Sequence, residues 1–260
     1  MGEDANRQYK GGQKVMFWIE KFCKELPKED QRLCRQLGSD FRDLLSDLKK
    51  KGYLRSELMK KGEEGKTNSE YVIENLRKVN DAFNKFEEMY VDKERQKKFI
   101  ELNEPYGMTK TDLNYLFYST SVSVFLVNIE AFRAFLLFIM KLPIHYKVKG
   151  KPKYINCKTP LGTLLKSLKE LKIEKADALS DIDYELRNGL SHGLFWLHEQ
   201  GDSEHSKPHL HYSTDIAFKN IKLISFADLL FKMRKQAIYT ICLLYVIGDF
   251  PFSLSHVHHT

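Results

Sequence analysis

Through most of the chain apolar residues recur at three- and four-residue steps, the spacing of one face of an α-helix. Val15, Trp18, Ile19, Phe22, Cys23 and Leu26 make a first short amphipathic segment that Pro27 closes. Gly38-Ser39-Asp40 reads as a stop and a fresh N-cap before Phe41, Leu44, Leu45 and Leu48. The charged, glycine-bearing run from Lys61 to Lys66 is the best linker candidate. Beyond it Tyr71, Val72, Leu76, Val79, Phe83, Phe86 and Tyr90 trace one face of a long helix, placed over 67–104 and ended by Pro105-Tyr106-Gly107. Thr109 or Thr111 caps the next helix, which runs to about Leu142 before Pro143. Its stretch from Leu113 to Ile129 has no charged residue, but at 17 residues with several hydroxyls it is short of the ~20 largely apolar residues of a membrane span. A buried core helix is expected, with no membrane. Glu130 and Arg133, at i and i+3, share a face and must satisfy one another or line a polar cleft.

The second half is more varied. Tyr146 to Tyr154, with Lys-Gly-Lys-Pro at its centre, allows a small hairpin or an irregular loop, and Thr159-Pro160 suits the start of a helix through about Leu171. A helix from about Ala176 to Leu190 follows. The period then changes: Phe195, Leu197, Leu210 and Tyr212 alternate with polar residues across Gly201-Asp202, which predicts a short hairpin, and 216–224 can also be extended. Ser225 caps a final helix through Ile247, and 251–260 reads as a flexible tail. The expected architecture is mainly all-α: an N-terminal helical region over 1–62, a joining helix over 67–104, and a bundle with one small β-hairpin over 109–250.

Composition narrows the class. A chain of 260 residues with 42% apolar and 12% aromatic residues has material for a sizeable core, and 14 Gly and 7 Pro are too few for collagenous or turn-rich all-β chains. The start Met1-Gly2-Glu3-Asp4 has no apolar stretch behind it, so no signal peptide is expected. Cys23, Cys34, Cys157 and Cys242 lie far apart with no C-x-x-C pair, which suggests neither a zinc ribbon nor a small disulfide scaffold; they are expected to be buried thiols in a reducing cytosol, a cytoplasmic setting. The net charge of +7 is concentrated between Lys141 and Lys175, where ten basic residues face two acidic ones. There Lys147, Lys149, Lys151 and Lys153 alternate with other residues between Tyr146 and Tyr154, a pattern suited to a phosphate backbone such as RNA, and equally that of a solvated loop.

The stretch with the most chemical content is Asp183-Tyr184-Glu185-Leu186-Arg187-Asn188-Gly189-Leu190-Ser191-His192-Gly193. Arg187, a polar residue directly after it, and His192 after four intervening residues resemble the R-x(4–6)-H motif of the HEPN superfamily. The motif ends an amphipathic helix and is followed by a hairpin and a capped apolar helix, and the resemblance covers roughly Thr109 to Gly248. It implies a helical bundle that pairs as a two-fold homodimer, two motifs in one cleft, and metal-independent endoribonuclease activity with no cofactor. By the same resemblance the setting would be prokaryotic antiviral defence, as an abortive-infection protein or the toxin of a toxin–antitoxin pair, with an antitoxin or other regulatory protein as a possible partner. The chemistry is physically coherent: a histidine serves as acid or base near neutrality, and a planar, permanently charged arginine stabilises a phosphorane. Arg187 and His192 are the candidate catalytic residues; Asn188, Ser191 and, from the long helix, Glu130 are candidate supports. Gly189 and Gly193 suggest a helix that loosens there.

Three other readings compete. Arg187 could simply pair with Asp183 four residues earlier, with His192 ending a helix. The same fold could serve as a non-catalytic dimerisation or binding module for RNA or protein. His209 and His211 share a strand face and, with His198 or His205, could hold a metal, although solvent-exposed hairpin histidines are expected and no metal is assigned. His256, His258 and His259 read as surface residues. The P-loop, dinucleotide, serine-hydrolase and zincin signatures are all missing from the sequence.

Overall fold

The computed structural model describes residues 20–24, 26–55, 68–144, 153–156, 158–198 and 209–249. They are mostly helical, with two small antiparallel sheets. The chain divides into two compact units, each drawn from separated stretches: Met1–Ile73, Ala131–Ile182 and Ile238–Thr260 form the first, Glu74–Glu130 and Asp183–Ala237 the second. The sequence segment 109–250 is therefore shared between both units.

In the first unit a short helix α1 (20–24) precedes α2 (Lys28–Lys50). The helix α2 runs straight through Gly38-Ser39-Asp40, where the sequence suggested a stop. A mid-helix glycine costs only about 1 kcal/mol relative to alanine, and Phe41, Leu44, Leu45 and Leu48 are all fully buried, which outweighs it. Asp40 is no cap; it is buried, accepts a hydrogen bond from Gln36 at 3.0 Å and pairs with Lys175 at 3.2 Å. Phe41 packs against Phe132 and Tyr239, each with ring centroids 6.1 Å away.

The cysteines depart from expectation. Cys23 and Cys34 form a disulfide between α1 and α2, and only Cys242 is a free thiol among the described residues, buried with its sulfur 3.6 Å from that of Cys34. Eleven residues of separation gave no sign of the pairing; the return of α2 beside α1 brings the two together. Cys157 lies outside the described residues. The strands β1 (Pro143–Ile144) and β2 (Lys153–Tyr154) form a small hairpin in this unit, followed by α6 (Leu161–Glu170), whose N-cap is Pro160.

In the second unit the single helix expected over 67–104 is two: α3 (Asn68–Val91), which enters from the first unit, and α4 (Lys93–Asn103). Asp92 separates them in an extended conformation, its carboxylate accepting from the N–H groups of Glu94 and Arg95 at 3.0 and 3.1 Å. Aspartate satisfies two orphan donors there that it could not serve inside a helix. Next comes α5 (Lys110–Ile139), capped by Thr109. By length and composition α5 could cross a membrane; its Leu113, Phe117, Phe125 and Ile129 are buried within the protein. Phe117 is the hub of an aromatic cluster, with Tyr90 stacked on it at 3.9 Å and Phe83, Phe86 and Phe226 at 5.3–5.7 Å.

The helix expected over 176–190 is also broken. A 3-10 turn, Ala176–Leu179, belongs to the first unit, and α7 (Tyr184–Ser191) starts afresh in the second with Asp183 as its cap. The expected hairpin is present, and the extended stretch expected over 216–224 forms a third strand over 221–225: β3 (Phe195–His198), β4 (His209–Ser213) and β5 (Ile221–Ser225) make an antiparallel sheet in that order. Ser225 then caps α8 (Phe226–Asp249), accepting from the Asp228 N–H at 3.0 Å and donating to its carboxylate at 2.6 Å.

Candidate active site around Arg187

The eight residues of α7 are too few to be stable by propensity, so tertiary contacts must hold the helix. Four do so. Asp183 accepts from the Leu186 N–H at 2.9 Å, and its second oxygen takes Lys232 of α8 at 2.7 Å. Glu185 pairs with Lys222 of β5. Arg187 points its Nε and Nη2 at one oxygen of Glu130 on α5. The fourth is a close approach: a Cβ at Gly189 would stand 2.8 Å from the Tyr212 ring and 2.9 Å from the Ser213 carbonyl oxygen, so only glycine lets α7 lie on β4. Gly189 therefore marks tight packing rather than a loosened helix. Gly193, with φ at +68°, makes the left-handed turn that leaves the helix.

Three of the residues singled out from sequence meet here. Arg187 donates through Nη1 to the Asn188 side-chain oxygen at 3.0 Å while Glu130 holds the other edge of the guanidinium. The Arg187 side chain is 17% exposed and that of Glu130 35%, placing the pair at the boundary between protein and water. Asp183, the alternative partner for Arg187, is engaged by the helix start and Lys232 instead. Arg133, the i+3 neighbour of Glu130, donates to the Thr159 carbonyl at 3.0 Å in the first unit.

Ser191 and His192 sit at the other end of α7. Ser191 is exposed and donates to the Asn188 carbonyl at 3.2 Å. His192 is the C-cap; its backbone N–H bonds the Asn188 and Leu190 carbonyls, and its residue is exposed. Among the described residues no hydrogen bond joins the side chains of Arg187 and His192. One end of the motif is thus fixed and half-buried, the other open to solvent. Among the described residues Arg187 makes three bonds with the five N–H groups of its guanidinium, which leaves donors for an incoming oxyanion.

Lys222, Lys232 and Tyr212 had no local signal in the sequence, since they lie 37, 49 and 23 residues from the α7 residues they meet, Glu185, Asp183 and Gly189. Burial, and after it the charge of Asp183, push the Tyr212 phenol above its ordinary pKa, and Lys222 is raised by its bond to Glu185. Of the four candidate RNA-binding lysines, Lys147, Lys149 and Lys151 lie outside the described residues, and only the backbone of Lys153, opposite Ile144 in the hairpin, is described. His205 and the tail histidines also lie outside them. His209 is not the exposed hairpin residue expected; it is 2% exposed. No protein-family model, no curated protein and no solved structure matches this chain.

Proposed function

We propose that this protein is a metal-independent endoribonuclease of the HEPN type, acting as a homodimer in which Arg187 and His192 of each copy face a shared cleft. The observation that carries the reading is the fixing of Arg187 by Glu130 and Asn188 while His192 stands exposed at the end of the same short helix. A guanidinium with set orientation stabilises a phosphorane at a defined place, and an accessible imidazole can take the proton of a 2′-hydroxyl or give one to the leaving 5′-oxygen. Asn188 keeps its side-chain NH2 as a further donor, and the Ser191 hydroxyl would add another by turning from the Asn188 carbonyl. Lys147, Lys149, Lys151 and Lys153 would hold the RNA backbone, and antiviral defence or a toxin–antitoxin system, with a regulatory partner, is the setting that fits such an activity. A cytoplasmic location belongs to the same reading and rests on the RNA substrate alone, since the Cys23–Cys34 disulfide removes the argument from free thiols.

One observation favours a second reading. Glu130 neutralises Arg187 within the chain, as it would in a non-catalytic module that uses the fold to dimerise or to bind RNA or protein. Incubation of mixed RNA in EDTA with the wild type, His192→Ala and Arg187→Ala separates the two. The nuclease reading expects products ending in cyclic phosphate, lost by at least 100-fold in both variants with the dimer intact. A folded wild type that leaves RNA whole, or cleavage unchanged by both substitutions, would overturn it.

A further inference from the structure

On the β3–β4–β5 sheet the register sets His198 directly opposite His209, and Trp196 opposite His211. Residues two apart on a strand share a face, so all four rings lie on one side. Leu210, Tyr212 and Ile224, on the other side, are buried in the core. The ligand nitrogens of His198, His209 and His211 all lie within 4.8 Å of one another. The Nε2 atoms of His209 and His211 are 3.1 Å apart, one ring N–H donating to the other nitrogen through a proton that a bound metal ion would displace. Two nitrogens on a tetrahedral zinc with bonds of 2.0–2.1 Å stand about 3.3 Å apart, so this pair is already near ligand spacing. The rings are also set by their neighbours: Trp196 stacks on His211 with centroids 5.0 Å apart and planes at 2°, and its indole N–H reaches His198 Nε2 at 3.1 Å. Three converging imidazoles on a partly desolvated surface, the middle one 2% exposed, form a donor set of the borderline softness that zinc and its neighbours prefer.

We propose that His198, His209 and His211 bind one divalent transition-metal ion, zinc in the cell, which clips β3 to β4. This site is separate from Arg187 and His192 and does not depend on the ribonuclease reading. A ring nitrogen cannot both accept an indole N–H and hold a metal, so coordination through His198 Nε2 releases Trp196. Because the chain has only Trp18 besides Trp196, a Trp18→Phe background makes indole fluorescence a reporter of the site.

The test is a zinc titration of the full chain against a chromophoric chelator, with His256, His258 and His259 replaced by alanine to remove the tail's own donors. One zinc per chain at micromolar affinity or tighter is expected, with a change in Trp196 fluorescence, a zinc-dependent rise in Tm, and the visible absorption of tetrahedral cobalt when cobalt replaces zinc. His209→Ala and, separately, His198→Ala should each abolish the site; the second lies on the edge strand and spares the buried position if the first variant fails to fold. Loss of zinc binding on removal of the tail histidines, or stoichiometric binding retained in folded His198→Ala, would overturn the proposal. RNA cleavage in EDTA is read independently, so failure of either assignment leaves the other standing.

Discussion

Gly189 is the residue on which the placing of α7 turns. Any side chain there must displace either the Tyr212 ring or the Ser213 backbone, and backbone does not yield cheaply. Alanine is worth about 1 kcal/mol to a helix over glycine, whereas forcing extra atoms into a packed site costs typically 1–3 kcal/mol. The second effect should win. Gly189→Ala is therefore expected to lower the denaturant midpoint, by about 1–2 kcal/mol in stability, and an unchanged or raised midpoint would show that β4 can give way. Glu130 is the other residue whose role is set by contact: its spacing to Arg133 placed it on a face, but only the arrival of α7 gives it Arg187.

At the scale of the element, caps decide where helices begin more firmly than periodicity does. Asp92 divides what reads as one long helix, and Asp183 divides another, in each case by serving backbone donors that a helix start leaves open. Asp183 has a second partner in Lys232, and the two contributions differ in size. Loss of an N-cap costs about 0.5–2 kcal/mol, while a half-exposed ion pair is worth roughly 0–1 kcal/mol. Asp183→Ala should thus destabilise the protein more than Lys232→Met when both are measured by chemical denaturation. Equal losses in the two variants would mean that the ion pair, and not the cap, holds α7. Legibility at this scale was uneven: Ser225 precedes an unbroken apolar face and Thr109 was one of two caps open to α5, whereas Asp92 is followed by the wholly polar run from Lys93 to Lys98, which shows no break.

At the scale of the whole molecule, burial creates properties that no segment has alone. Tyr239, on the part of α8 in the first unit, is removed from water, and the carboxylates of Asp181 and Asp40 add their charge, so its pKa rises from 10.0 to about 12. A proton held more tightly in the folded state stabilises it fully below the unfolded pKa, and that stability is lost as pH climbs through the folded value. The wild type should therefore lose stability between about pH 10 and 12, on the order of 1–3 kcal/mol, and Tyr239→Phe should flatten that limb in denaturation curves recorded across the range. An equally steep loss in the variant would assign it to other groups.

By itself the sequence determined that the protein is mainly helical, where most of its apolar faces lie, and that Arg187, Asn188 and His192 stand toward the end of a helix. These follow from local periodicity and from residues that start and stop helices, which act over a few positions. The tertiary structure decided the rest. It divided the chain into two units, each drawn from separated stretches, joined Cys23 to Cys34, paired β5 with β4, gave Arg187 to Glu130 across 57 residues, and gathered His198, His209 and His211 on one sheet face. Each of these depends on which distant surfaces meet, and the free energy that brings them together comes from burying apolar area, a force without direction that leaves no mark of its partner in the local pattern.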